Sequence, residues 1–324
     1  MSIAAPTFNE TLGNCSWRNQ LYNCGEIFDS VLTDEGICFS FNSLKSDFYR
    51  TELYNARKED FIGSEYDNVE YLDWNLENGY NQKADEKTFP VHVIGAGDKE
   101  SLVVYLRDRK EDDEQLCRNS VRGFKVILHT PGEDPQAWKN FINVPLDQSV
   151  SLTIKPKIMT SEDLRHYSPE RYFKVYTQAN CESEWLANMT LSECGCVKFS
   201  MPRNSSHPIC GYHKLPCVDY VMYTSKEWTI NYDKYLNAYN CLPTCISIEY
   251  KAELEHQVPI NYAQIEESDE GFSSKDNLSY RVTQITLKFK EDNFNGLKRS
   301  ELYSMSDFIA NCGGLLGLFM VFRF

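Results

Sequence analysis

Asp307-Phe-Ile-Ala-Asn-Cys-Gly-Gly-Leu-Leu-Gly-Leu-Phe-Met-Val-Phe-Arg-Phe324 is the most apolar run in a chain of 324 residues. Between Phe308 and Phe322 only Asn311 is frankly polar, and Gly313 and Gly317 stand at the Gly-x-x-x-Gly spacing that lets helix backbones approach closely in lipid. A helix crossing the hydrocarbon core needs about 20 apolar residues. The run is shorter than that and reads as the start of a transmembrane helix, residues 301–324, cut off by the end of the sequence. A buried helix closing a soluble domain is the competing reading. Gly313, Gly314 and Gly317 would weaken such a helix by about 1 kcal/mol each, whereas in lipid they favour tight packing.

The rest of the chain reads as something outside the cell. Asp and Glu outnumber Lys and Arg 47 to 33, a net charge of −14 with no basic block, which excludes nucleic acid as a partner and suits small cations. Twelve cysteines, 20 tyrosines and sequons at Asn9, Asn14, Asn188, Asn204 and Asn277 together describe a disulfide-linked, glycosylated, extracellular protein. Met1-Ser-Ile-Ala-Ala-Pro-Thr-Phe8 shows neither a basic n-region nor an apolar h-region. The sequence is therefore read as a fragment whose upstream membrane helix is missing.

Strand signals lie far apart. Ile37, Phe39 and Phe41 alternate after the turn Thr33-Asp-Glu-Gly36; residues 46–90 are acidic, Tyr- and Asn-rich and read as irregular. Leu102-Val-Val-Tyr-Leu106 predicts a strand ending at the charge run Arg107 to Glu114, and Gly123-Phe-Lys-Val-Ile-Leu-His-Thr-Pro131 one closed by Pro-Gly-Glu-Asp-Pro135. Val150, Leu152 and Ile154 alternate, and Ser279 to Lys290 is the clearest amphipathic strand. Gly95-Ala-Gly97 has too few glycines, and no following helix, for a nucleotide loop. The carboxylate clusters Glu111–Glu114 and Glu266–Glu270 read as solvated charged loops.

Seven cysteines, Cys181, Cys194, Cys196, Cys210, Cys217, Cys241 and Cys245, crowd into 65 positions. Structural zinc favours Cys-x-x-Cys knuckles, and the spacings here are Cys-x-Cys and Cys-x-x-x-Cys, so no metal site is expected even with His207 and His213 nearby. Disulfides stapling short helices are the better account. No Ser/His/Asp, Cys/His or metal-ligand arrangement stands at useful spacing, so no enzyme and no cofactor are expected.

Tyr172-Phe-Lys-Val-Tyr-Thr-Gln178 with Asn180-Cys181, Cys194-Gly-Cys-Val-Lys-Phe-Ser-Met-Pro-Arg203, Ile209-Cys-Gly211, Cys241-Leu-Pro-Thr-Cys-Ile-Ser-Ile-Glu-Tyr250 and Phe308 to Met320 are specific in combination. With Glu35-Gly-Ile-Cys-Phe-Ser-Phe-Asn42 and Gly123-Phe-Lys-Val126, they resemble the degenerin/epithelial sodium channel family, most of all its insect pickpocket branch. The resemblance implies an α+β fold: a hand-like ectodomain with a β-sheet palm and a disulfide-rich helical thumb, followed by the start of a transmembrane helix. The extracellular domain would be 1–300, with palm and finger to about 165, thumb about 166–250 and final palm strands about 251–298. It implies bridges Cys15–Cys24, Cys194–Cys217, Cys196–Cys210 and Cys181–Cys241. Relatives' partners for Cys38 and Cys245 are absent, Trp185 and Tyr239 stand where relatives have a further pair, and Cys117 is unassigned.

The function implied is a subunit of a trimeric, amiloride-sensitive sodium or cation channel in the plasma membrane, homo- or heteromeric with related subunits. Ala310 falls where the family requires a small residue and bulk holds the gate open, with Gly313 and Gly314 following toward the pore. Where the family places a Gly-x-Ser filter this chain has Val321, Phe322 and Arg323, and an arginine beside a cation path repels the ion. A non-conducting secreted or tethered ectodomain that binds ligand or modulates partner subunits is the alternative.

Overall fold

The computed structural model of the chain describes residues 7–44, 50–51, 74–76, 78–80, 90–112, 122–139, 141–161, 172–230, 241–262, 279–300 and 305–321. In chain order these form α1 (Phe8–Thr11), β1 (Leu12–Trp17), β2 (Gln20–Tyr22), α2 (Cys24–Ile27), β3 (Phe28–Thr33), β4 (Gly36–Phe41), β5 (Trp74–Asn75), β6 (Gly79–Tyr80) and β7 (Leu102–Arg109). There follow β8 (Phe124–Val126), β9 (Ile142–Val144), β10 (Gln148–Ser161), α3 (Gln178–Cys194), α4 (Leu215–Ile230), β11 (Ile246–Pro259), β12 (Tyr280–Phe289), β13 (Gly296–Arg299) and α5 (Met305–Val321).

One seven-stranded mixed sheet organises the chain, in the order β11-β10-β12-β7-β1-β2, with β13 as the seventh strand, paired to β10 beyond the end of β12. Its spine is β10, antiparallel to β11 from Gln148↔Pro259 to Thr160↔Ile246 and parallel to β12 from Ser149↔Gln284 to Ile154↔Phe289. A parallel neighbour needs a long crossover, and here α3, α4 and β11 are that crossover. Alternation predicted one buried face for β10, but Val150, Ser151, Leu152 and Thr153 are all buried. The two polar members are satisfied locally: the Ser151 hydroxyl donates to Glu255 Oε2 (2.7 Å) and the Thr153 hydroxyl to the Glu253 carbonyl (3.3 Å). Val150, Leu152, Val144 and Ile285 close a core beneath the sheet.

Two extents differ from expectation. β7 runs through Arg109 into the charge run, because Arg107, Asp108 and Arg109 pair with Val282, Arg281 and Tyr280 of β12 and the Arg281 guanidinium grips Asp108 at 2.5 and 2.9 Å. β8 is only Phe124–Val126, since its partner β9 is equally short and His129 turns inward instead of continuing a ladder. The β3–β4 hairpin turns at Asp34-Glu35 as expected. Most of residues 46–90, Cys117 and Glu266–Glu270 lie outside the described residues.

The helical lobe follows from its cysteines and one glycine. Thr177 caps α3, its hydroxyl accepting from the Asn180 amide (3.1 Å), and Gly195 ends it at φ 71°, a left-handed conformation that glycine adopts without strain. That turn sends Cys194 and Cys196 apart, Cys194 bonding Cys217 on α4 and Cys196 bonding Cys210. Leu186, Ala187, Val197, Met201, Val218 and Val221 fill the space between.

Candidate functional site

Three features connect the cross-linked lobe to the final helix. The first is the base of α3. Cys181–Cys241 ties its first turn to the segment entering β11. Asn180, fully buried, donates from Nδ2 to the Gly132 carbonyl and accepts at Oδ1 from the Asp134 amide, both at 3.1 Å. Gln136 donates to the Ala179 carbonyl (2.9 Å), Lys139 pairs with Glu182 (2.6 Å) and Arg50 with Asp134 (2.5 Å). Pro131-Gly-Glu-Asp-Pro135, legible from sequence only as a strand terminator, is thus the socket for the helical lobe.

Two titratable groups sit in that socket. His129 Nδ1 contacts the Thr130 carbonyl (3.1 Å), which can only accept, so Nδ1 carries the proton and Nε2 accepts from the Ser40 hydroxyl (3.0 Å). Burial holds its imidazolium form well below the usual range, with the Thr130 carbonyl and Asp134 opposing. Burial likewise pushes the Glu133 carboxyl up, against hydrogen bonds from Thr130 and Thr177. The two act oppositely. His129, depressed when folded, contributes stability above the unfolded pKa, about 6.5, that is lost as pH falls. Glu133, raised when folded, contributes stability at low pH that is lost as pH rises through its folded value. His129→Gln is expected to shift the acid-unfolding midpoint to lower pH, and Glu133→Gln to raise the melting temperature more at pH 8 than at pH 4. Thermal melts across that range check both.

The second feature is the path through the sheet. β11 leads from the Cys241 bridge alongside β10, and β12 and β13 both run parallel to β10, the latter from Ile158↔Gly296 to Ser161↔Arg299. Charges brace the rows: Lys288, nearly covered, lies 2.6 Å from Asp98 and 2.7 Å from Glu255, while Glu253 meets Lys155 and Lys290 at 3.0 Å each. Near the far end of β12 a hollow of about 580 Å³ is lined by Lys110, Asp147, Tyr262 and Arg281. There the Tyr262 hydroxyl donates to Asp147 and accepts from the Val282 amide (3.2 Å). Burial and that donation push its phenol up to about 12, so it stays a neutral strut. Among the described residues no cluster of three or more His, Cys, Asp or Glu is placed to hold a metal ion.

The third feature is α5. Ala310, Gly313 and Gly314 all lie on it and are exposed, and a Cβ added at Gly313, Gly314 or Gly317 would meet nothing within 4 Å. Phe308, Ile309, Leu315, Leu316, Leu318, Phe319 and Met320 are each more than half exposed. Val321 ends the helix and Arg323 lies outside the described residues. No described helix is long and apolar enough to cross a membrane. Among the described residues the disulfides are the four pairs named above, and Cys38, Cys245 and Cys312 carry none. Of the sequons, Asn9 lies in α1, Asn14 in β1, Asn188 on an exposed position of α3 and Asn204 in a turn; Asn277 is outside the described residues.

A family model described as amiloride-sensitive sodium channel matches residues 2–322. The chain belongs to that family. Among curated proteins the chain is similar to Pickpocket protein 28 of Drosophila melanogaster, 28% identical over 95% of this chain and 53% of that one. It is similar also to Degenerin-like protein asic-1 of Caenorhabditis elegans (24%, 90% of this chain, 36% of that one) and to the Bile acid-sensitive ion channel of Mus musculus (21%, 96% and 55%). It spans about half the length of the first curated relatives it matches. The family and the mouse relative are described as ion channels. In this amiloride-sensitive sodium channel family member the mixed sheet, the two longer helices of the lobe and the four disulfides form the body from which α5 departs.

Proposed function

We propose that the chain forms the extracellular body and the beginning of the pore-lining helix of a trimeric, amiloride-sensitive cation channel subunit at the plasma membrane. It assembles with copies of itself or related subunits and passes sodium. The observation that carries this reading is α5: seventeen residues, about 25 Å at 1.5 Å per residue, with apolar side chains facing outward all round. Apolar area of that kind costs about 25 cal/mol per Å² in water. Lipid and neighbouring helices remove the cost. Ala310, Gly313, Gly314 and Gly317 recur at intervals of three and four, which gives a smooth strip for close helix approach.

In this reading the palm is the mixed sheet and the thumb is the α3–α4 lobe. A shift of the thumb, levered about the Asn180 socket, passes through β11, β10 and β13 to α5. Val321, Phe322 and Arg323 do not supply a Gly-x-Ser filter, so conduction depends on partner subunits. The chain expressed alone is expected to reach the cell surface without sodium current, and co-expression with a conducting relative to change the amiloride-sensitive current severalfold. An unaltered partner current, or recovery of the chain from cytosol with reduced thiols, sinks the proposal.

Glycosylation supplies an independent check on which side of the membrane the body lies. At Asn204-Ser-Ser206 the side-chain oxygen Oδ1 of Asn204 accepts from the Ser206 hydroxyl (2.6 Å) and amide (3.0 Å), folding the sequon on itself at the surface. At Asn188 the matching Thr190 hydroxyl is buried and donates to the Leu186 carbonyl (2.8 Å). Asn204→Gln is expected to remove one glycan, seen as a gel shift of about 2–3 kDa that N-glycosidase abolishes. Identical mobility of variant and parent would show Asn204 unmodified.

A further inference from the structure

The Gly95-Ala-Gly97 loop has a partner that its sequence did not suggest. β12 and β13 pair with the same edge of β10, and their registers end at Ile154↔Phe289 and resume at Ile158↔Gly296. Residues 290–295 therefore lie opposite Lys155, Pro156 and Lys157, six residues facing three. Extended chain rises about 3.3 Å per residue, so the linker must bow off the sheet. Pro156 has no amide hydrogen to offer it.

The bowed linker is held from the side by the loop that precedes β7. The Ala96 amide donates to Asp292 Oδ1 at 2.6 Å. The Gly97 amide donates to the Phe289 carbonyl at 3.2 Å, and Lys288 reaches Asp98 at 2.6 Å. Phe289 and Phe294 meet across the linker with centroids 5.4 Å apart. Gly97 takes a left-handed conformation here, and Gly95 leaves room for the carboxylate. Gly97 has φ +87°, and a Cβ on Gly95 would stand 3.3 Å from Asp292 Oδ1.

We propose that Gly95–Asp98 is a latch that fixes the 290–295 linker, and with it the alignment of β13, the last strand before α5. Asp292 is its catch. The latch follows from sheet geometry and does not rest on conduction, so a chain that carries no current still decides it.

Residue-resolved amide hydrogen exchange on the glycosylated, disulfide-bonded chain provides the test. Asp292→Ala is expected to speed exchange at Ala96 about tenfold and to raise exchange at the β13 amides, with the β10–β11 amides unchanged. Asp292→Asn keeps the Oδ1 acceptor and should restore most of the protection. Gly95→Val, which crowds the carboxylate, should reproduce the alanine pattern. Unchanged Ala96 and β13 exchange in Asp292→Ala, or an asparagine variant as fast as the alanine one, overturns the proposal.

Discussion

Replacing Cys181 and Cys241 together with serine is expected to cost about 4 kcal/mol of stability, the largest loss from any one of the four bridges. The bond closes a loop of sequence separation 60, against 23 for Cys194–Cys217, 14 for Cys196–Cys210 and 9 for Cys15–Cys24. Loop-closure entropy rises with the logarithm of loop length, giving about 3 kcal/mol for the shorter thumb bridges and about 4 for this one. Position matters as well as length, because this bond is the covalent tie between the base of α3 and the chain entering β11, where the Tyr176 hydroxyl adds a hydrogen bond to the Leu242 carbonyl (2.6 Å). In denaturant the double variant should lose protection of α3 and α4 before the sheet, splitting one transition into two. A single transition at the parental midpoint would show that the bond adds nothing to what the socket supplies.

Asn180→Ala is the second large expectation. The residue is fully buried and satisfies two backbone groups of the socket, the Gly132 carbonyl and the Asp134 amide. Alanine leaves both without their partner, at about 1–3 kcal/mol each, so a total of about 2–6 kcal/mol is expected. Thr177→Ala removes the helix cap, at about 1 kcal/mol, together with a hydroxyl that bonds Glu133, but leaves both backbone groups of the socket paired. The ratio between the two separates a socket from an ordinary helix start. Calorimetry that finds the variants equally destabilised contradicts the role given to Asn180.

Much of this was legible in the sequence for physical reasons. The Phe308–Met320 run is apolar enough to stand alone as a helix, and Ser279–Lys290 reads as a strand because β12 has neighbours on both edges, with Val282 and Thr283 buried on its opposite faces. Cysteine density announced the lobe, and the family motifs implied its pairing. What stayed hidden depended on contacts distant in sequence. The Pro131–Pro135 loop carries no periodicity, and only its partner 46 positions away reveals a socket. Gly95-Ala-Gly97 was judged on a local motif, although its partner Asp292 lies 196 positions on. β8 looked longer than it is because Ile127 and Leu128 are apolar without having a strand to pair with.

β11 leaves one further consequence. Among the described residues its outer rim has no strand beside it along fourteen positions, and Leu254 and Val258 lie open there. Rims of this kind template sheet-to-sheet stacking unless charge opposes it. Glu249, Lys251, Glu253 and Glu255 are spaced at every second residue along that margin, so each incoming copy would face repulsion at repeated points. Converting Glu249, Glu253 and Glu255 to glutamine removes that charge, and with it the pairs to Lys155, Lys288 and Lys290, and is expected to raise light scattering of the body at a given concentration, because nothing then opposes flank-to-flank pairing.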